Sequence, residues 1–238
     1  MRLSIIIPAY NEEKCLPPML EAVSSALSIL PYPCELIVID NESTDNTREI
    51  AESFGARVVT EKEHNISRVR NAGAEIATGE TLIFLDADTL VPQTLFQKIA
   101  EVMEDQKCMG GAVFVEYAKV RRRLTELYLR LCKFGAKVFN MKQGAAQFCR
   151  SSAFKEIRGY DESIYVGEDV ELYWRLSKYA KQNSGYVHFI KDLRVTTSSR
   201  RFDRWSLWKT VVFTHPIFIV LLWRRKSHWK DWYENAIR

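Results

Sequence analysis

Apolar runs and amphipathic stretches alternate along the first third of the chain. Leu3-Ser4-Ile5-Ile6-Ile7 is short and β-branched, which predicts a strand, and Pro8, lacking an N–H for a ladder, is expected to end it. Residues 16–30 then read as an amphipathic helix closed by Pro31 and Pro33. A second strand over 35–40 ends in Asp40, and a helix follows to Phe54, with Gly55 where a C-cap glycine belongs. A third strand (56–60), a third helix (67–77) and a fourth strand (81–85) complete the series. Strands alternating with helices of this length predict a parallel, βαβ-wound sheet: an α/β fold with flanking helices.

The pattern continues less regularly. Residues 92–104 predict a helix with Pro92 near its first turn, and 109–117 a strand. Leu124, Leu127, Leu131, Phe134 and Val138 recur at three and four residues, so 124–140 is expected to be an amphipathic helix. Its basic prelude, 119–123, reads as a solvated face. Small residues from Gly144 lead into a strand-like stretch ending at Arg150; a short helix (153–157) and a turn (158–162) precede a helix that opens on Glu168 and Asp169. His188 reads as a strand residue rather than a ligand.

From Arg204 to Trp232 the chain turns aromatic, apolar and basic. The uninterrupted apolar run 217–223 is far shorter than the roughly 20 residues that span a bilayer. Tryptophans flanked by Arg and Lys instead predict an amphipathic helix lying at a membrane interface, with packing on the main domain or dimerisation as the alternatives. The expected organisation is a catalytic domain over 1–200 and a tail over 201–238.

Composition narrows the class. At 238 residues the chain suits one large domain or a domain with an appendage, and 47% hydrophobic with 27% charged residues is a soluble globular balance. The net charge of +4 is too small to suggest nucleic acid as a partner, but basic residues crowd the last third, which favours an anionic ligand or a membrane surface. Five scattered cysteines without a Cys-x-x-Cys pair fit a reducing compartment. The first apolar stretch is too short for a signal-peptide core, so a cytoplasmic protein, peripheral on the inner face of the cell membrane, is expected.

The candidate chemistry sits where strands end. Tyr10-Asn11-Glu12, Asp40, and the pair Asp86 and Asp88 all follow apolar strands. Ligands bind at the carboxyl edge of open α/β sheets, and carboxylates there suit Mg²⁺ or Mn²⁺ carrying a phosphorylated substrate. Any one of these acids is explained as well by a polar loop or a helix cap; together they point to a nucleotide. Pro8-Ala9-Tyr10-Asn11 stands where a dinucleotide-binding fold would place its glycines, and no P-loop is present. Glu168 and Asp169 are either caps of their helix or a general base held ionised at its N-terminus.

Five stretches in order, Ser4 to Glu13, Val38 to Asp45, Arg70-Asn71-Ala72-Gly73, Phe84 to Asp88, and Gly167 to Leu172, resemble glycosyltransferase family 2. The resemblance covers about Leu3 to Leu176 and implies the GT-A fold, a mostly parallel Rossmann-like central sheet. It also implies inverting transfer of one sugar from a nucleoside-diphosphate-sugar, UDP-sugar first, to a hydroxyl acceptor that is lipid-linked or part of a cell-envelope glycan. By the same resemblance Pro8, Tyr10 and Glu12 lie against the base and ribose, and Asp40 accepts a hydrogen bond from the base. Arg70 sits near the diphosphate or base, Asp86 faces the ribose, and Asp88 binds the divalent cation, Mg²⁺ or Mn²⁺. Asp169 would be the catalytic base, while Gly167, Glu168, Arg200 and Arg201 supply acceptor or diphosphate contacts.

The Gln-x-x-Arg-Trp motif of the processive members is missing, so a non-processive enzyme is expected, and Arg200 or Arg201 either clamps the diphosphate or merely flanks the next helix. Two rival readings are a membrane-docked nucleotide-binding scaffold without activity and a sugar-1-phosphate nucleotidyltransferase. The first would be expected to have lost acids that are present here. The second needs a glycine-rich basic loop after the first strand, which Pro8 to Glu13 is not.

Overall fold

A computed structural model describes residues 1–119, 121–129, 145–215, 219, 221–225 and 229. The remainder of the helix expected over 124–140, the glycine at 144, several positions between 216 and 228 and the whole tail beyond Trp229 lie outside these residues.

Eight strands form one sheet: β1 (Leu3–Ala9), β2 (Cys34–Asp40), β3 (Arg57–Thr60), β4 (Thr81–Leu85), β5 (Thr89–Leu90), β6 (Cys108–Tyr117), β7 (Ala146–Arg150) and β8 (Tyr186–Thr197), in the order β3-β2-β1-β4-β7-β6-β8-β5. The first four in space are parallel, as the alternation predicts. β7 then enters antiparallel between β4 and β6, and β8 runs parallel to β6. The helices are α1 (Leu16–Ser28), α2 (Thr47–Ser53), α3 (Ile66–Ile76), α4 (Leu95–Glu104), α5 (residues 123–129), α6 (Ser151–Glu156), α7 (Glu168–Gln182), α8 (Arg200–Arg204) and α9 (Leu207–Thr214).

Strand parity sorts the core into two layers. Leu3, Ile5, Ile7, Ile83 and Leu85 join α1, α2 and α4 on one face, whereas Ile6, Ile39, Leu82 and Phe84 join α3, α6 and α7 on the other. β1 and β4 are buried along their whole lengths, the signature of central strands covered on both faces.

One strand end departs from expectation: β1 continues through Pro8, which pairs with Ile39. Leu3 N–H donates to Pro33 O and Asn41 N–H donates to Ala9 O, so the odd residues of β1 turn towards β2 and Pro8 turns towards β4. Pairing with β4 has already stopped at Ile6, so no ladder bond is lost to the proline ring. Gly55 does take the left-handed cap conformation, at φ +74°, and His188 lies within β8.

α8 and α9 follow β8. Trp205 and Trp229 are buried on either side of Phe213, each ring 5.5 Å from it, whereas Trp208 is 74% exposed. Among the described residues no helix is long and apolar enough to cross a membrane.

Gly73 explains how α3 sits so close to the sheet. A Cβ there would overlap Ile6 Cγ2 and press on Ile39 Cγ1 at 3.1 Å. Both side chains are fully buried. Gly73→Ala is therefore expected to lower stability by about 1–3 kcal/mol, or roughly 2–4 °C in Tm per kcal/mol, in thermal unfolding. An unchanged Tm would mean that α3 can back away freely.

Candidate active site

The loop after β1 is stapled to the turn before α2. Asn11 adopts φ +52°, a region that Asn tolerates better than most residues. Its N–H donates to Ser43 Oγ at 2.9 Å and its Oδ1 accepts from Thr44 N–H at 2.7 Å. Glu12 N–H donates to Thr47 Oγ1 at 2.7 Å, which turns the Glu12 side chain inward to 4% exposure. There Arg200 of α8 meets it with both ends of its guanidinium, Nη1 to Oε2 at 2.7 Å and Nη2 to Oε1 at 2.5 Å. Arg200 Nη2 also lies 3.3 Å from Asp88 Oδ2, and Asp88 Oδ1 accepts from Thr197 Oγ1 at 3.1 Å. Burial holds the Asp88 carboxyl above the usual carboxylate range, against the opposing pull of Arg200.

Parity also places Asp86. Leu82 and Phe84 face α3 and α7, and the next residue on that face is Asp86. Arg70, buried in α3, donates through Nη2 to Asp86 Oδ1 at 2.7 Å and through Nη1 to Glu168 Oε1. Its guanidinium stands 5.4 Å over the Tyr160 ring. Burial opposes the Arg70 charge, but Asp86 and Glu168 outweigh it and keep the group protonated. Burial drives the Tyr160 hydroxyl well above its ordinary value, so it stays neutral.

Glu168 and Asp169 occupy the first turn of α7, entered through Gly167 at φ +85°. Asp169 Oδ1 accepts from Val170 N–H at 2.8 Å, and its backbone carbonyl accepts from Gln147 Nε2 at 2.9 Å. Gln147 Oε1 in turn accepts from the Tyr160 hydroxyl at 3.3 Å. Asn71 braces the preceding loop, accepting from Tyr160 N–H at 2.9 Å and donating to Glu162 Oε1 at 3.0 Å. The Arg70-Asn71-Ala72-Gly73 run thus divides its labour: Arg70 binds acids, Asn71 holds the loop, and Gly73 admits the sheet.

The remaining expected residues line the same edge. Asp40 is buried at the end of β2 and accepts from Ser43 N–H at 3.1 Å. Tyr10 meets His64 edge to face at 4.8 Å, and His64 Nδ1 lies 3.2 Å from Asn41 Oδ1. Asn41 donates its amide hydrogens to Glu61 O and Glu63 O, so its Oδ1 is the acceptor and His64 Nδ1 carries the proton. Arg201 acts electrostatically on Asp88. The sequence points only weakly to Gln147, Tyr160, Thr197 and His64; Gln147 leaves a trace, an amide between the apolar residues Ala146 and Phe148.

Four carboxylates (Glu12, Asp86, Asp88, Glu168) thus meet two bridging guanidinium groups, Arg70 and Arg200, and a fifth, Asp169, acts on Arg70 electrostatically. Negative charge in excess at the rim suits a divalent cation. Among the described residues no group of three or more His, Cys, Asp or Glu side chains is placed to hold a metal ion. Mg²⁺ is commonly held by one or two carboxylates completed by substrate phosphates and water, so an Asp88-centred donor set fits.

Residues 4–157 match the family model described as glycosyl transferase family 2, well over half of the chain. The chain belongs to glycosyltransferase family 2. It is 31% identical over 119 residues to an undecaprenyl-phosphate 4-deoxy-4-formamido-L-arabinose transferase of Yersinia enterocolitica, covering 47% of this chain but only 36% of that relative's length. The fold is GT-A. S. aureus TarS residues 1–349, solved with UDP-GlcNAc, superposes at a TM-score of 0.67 with 15% identity, over 100% of this chain and 76% of that one. The Pyrobaculum calidifontis mannosyltransferase PcManGT, solved with GDP-Man and Mn²⁺, gives 0.60 with 19% identity, over 82% and 56%.

Arg70→Met leaves the buried Glu168 without its guanidinium. Removing one partner of such a pair is expected to cost about 3–5 kcal/mol, read as a fall in Tm or in urea midpoint. Wild-type stability would show that Glu168 finds another partner.

Proposed function

We propose that this chain transfers a single sugar, with inversion, from a nucleoside-diphosphate-sugar to an acceptor hydroxyl on a lipid-linked or cell-envelope glycan. The observation that carries the reading is the convergence of acids from β1, β4 and α7 on one rim, tied together by Arg70 and Arg200. Family membership supports glycosyl transfer, and a lipid-linked acceptor follows the activity for which the Yersinia relative is named. UDP-sugar is the first donor to try, as the relative bound to UDP-GlcNAc aligns with the entire chain.

In this reading Tyr10 and Asp40 receive the base, Asp86 the ribose, and Arg200 with Arg201 the diphosphate. Asp88 would hold Mg²⁺ or Mn²⁺, whose positive charge stabilises the departing diphosphate. Asp169, at the positive end of α7, takes the proton of the acceptor hydroxyl as that oxygen attacks the anomeric carbon. Glu168, committed to Arg70, sets the position of the first turn instead of sharing that proton. The tail would meet a lipid-borne acceptor through the exposed Trp208 and Leu221, with Arg204, Arg224 and Arg225 beside them.

The test is release of nucleoside diphosphate from UDP-, GDP- and dTDP-sugars with Mn²⁺ or with EDTA, against polyprenyl-phosphate and glycan acceptors. One donor is expected to turn over, and turnover of none would remove the transferase reading. Asp169→Asn is expected to lower kcat by about 10²–10⁴-fold at unchanged nucleotide affinity. Wild-type turnover by that variant would exclude Asp169 as the base. Asp88→Ala is expected to abolish the metal-dependent part of nucleotide binding, read by calorimetry, and full metal-dependent binding would move the cation site elsewhere.

A further inference from the structure

The loop that delivers Glu168 and Asp169 is held from two sides. From α3, Asn65 Nδ2 donates to Glu162 O at 2.8 Å and Ser67 Oγ donates to Ile164 O at 3.2 Å. From the opposite end of the chain, Trp223 O accepts from Tyr165 N–H at 2.7 Å. Arg224 Nη2 reaches Asp161 Oδ2 at 2.8 Å, and the Trp223 and Trp174 indoles meet edge to face at 6.4 Å. Ile219 sits directly on the turn, its Cγ2 only 2.7 Å from where a Cβ on Gly167 would be.

Gly167 decides the direction in which α7 begins. Glycine has the widest backbone range of any residue, and as the N-cap Gly167 has no side chain to accept from the first turn, so the angle of that turn depends on what surrounds it. The surroundings are α3 on one side and Ile219 with residues 221–224 on the other.

We propose that Ile219 and residues 221–224 are a positioning element of the active site, with Trp223 and Ile219 fixing the Gly167 turn and through it the aim of Asp169. The proposal rests on the reading of Asp169 as the base. Displacing a catalytic group by about 1 Å can cost 10²-fold in rate, so a loosened turn lowers kcat while the nucleotide, bound at the strand ends, is retained. The tail is on this account part of the catalytic apparatus, and whatever surface it docks on is coupled to the base.

Two readouts on the full-length protein test this. Hydrogen exchange at the Tyr165 amide reports the clamp without any reaction, and steady-state kinetics report its consequence. Trp223→Ala is expected to speed exchange at Tyr165 and lower kcat about 10–100-fold, with donor KM and nucleoside-diphosphate affinity within twofold of wild type. Trp223→Phe, which keeps a ring against Trp174, is expected to recover most of the loss. Ile29→Ala, at an exposed position at the end of α1 and away from this loop, should change neither readout. Unchanged exchange in Trp223→Ala, faster exchange with wild-type kcat, or a fall in nucleotide affinity matching the fall in kcat would each overturn the proposal. Failure of the Asp169 reading is separate: it appears as normal turnover by Asp169→Asn, whatever the exchange at Tyr165.

Discussion

Too many carboxylates in too little space is the condition that the rest of this site answers. Glu12 and Glu168 are almost wholly buried, and Asp86 and Asp88 stand close to them. Left alone, these groups would repel one another or take up protons. Two arginines from distant parts of the chain hold them instead: Arg70 ties the end of β4 to the start of α7, and Arg200 ties the β1 loop to the same β4 end. Such buried pairs add little net stability compared with apolar packing, but losing one partner is costly. Their role here is to specify geometry, setting two strand ends and one helix start in register.

The layered sheet serves that geometry. Parity along β4 sends Asp86 to the α3 side, and the close approach allowed by Gly73 brings Arg70 within reach of it. Gln147 becomes useful because β7 runs antiparallel beside β4, which carries its amide to the Asp169 carbonyl. Asp169 is thus held through its backbone as well as by its place in the helix.

Much of this was legible in the sequence, for physical reasons that also mark where legibility stops. The first four strands and three helices are local patterns of period two and period 3.6, and the acids at the strand ends follow from them. Pro8 misled because a donor missing from a strand matters only on the side where a neighbour still pairs, and that side is set by β4. The antiparallel entry of β7 has no local signal at all. The partnership of Glu12 with Arg200 links residues 188 positions apart, and Arg200 by itself reads equally as a diphosphate clamp or as a flank of the next helix. His64 likewise acquires a role only once β2 and β3 bring it beside Tyr10 and Asn41. In the tail, Trp205 and Trp229 turn inward around Phe213 and, among the described tryptophans, only Trp208 stands well exposed, a division that composition does not reveal.

The central claim is that this acid rim receives a nucleoside diphosphate with a divalent cation. Calorimetric titration of the purified protein with UDP, GDP and dTDP, each in Mn²⁺ and in EDTA, tests it most directly. Metal-dependent binding of one nucleotide, lost on chelation, is the predicted result. Absence of binding by all three in Mn²⁺ would contradict the account.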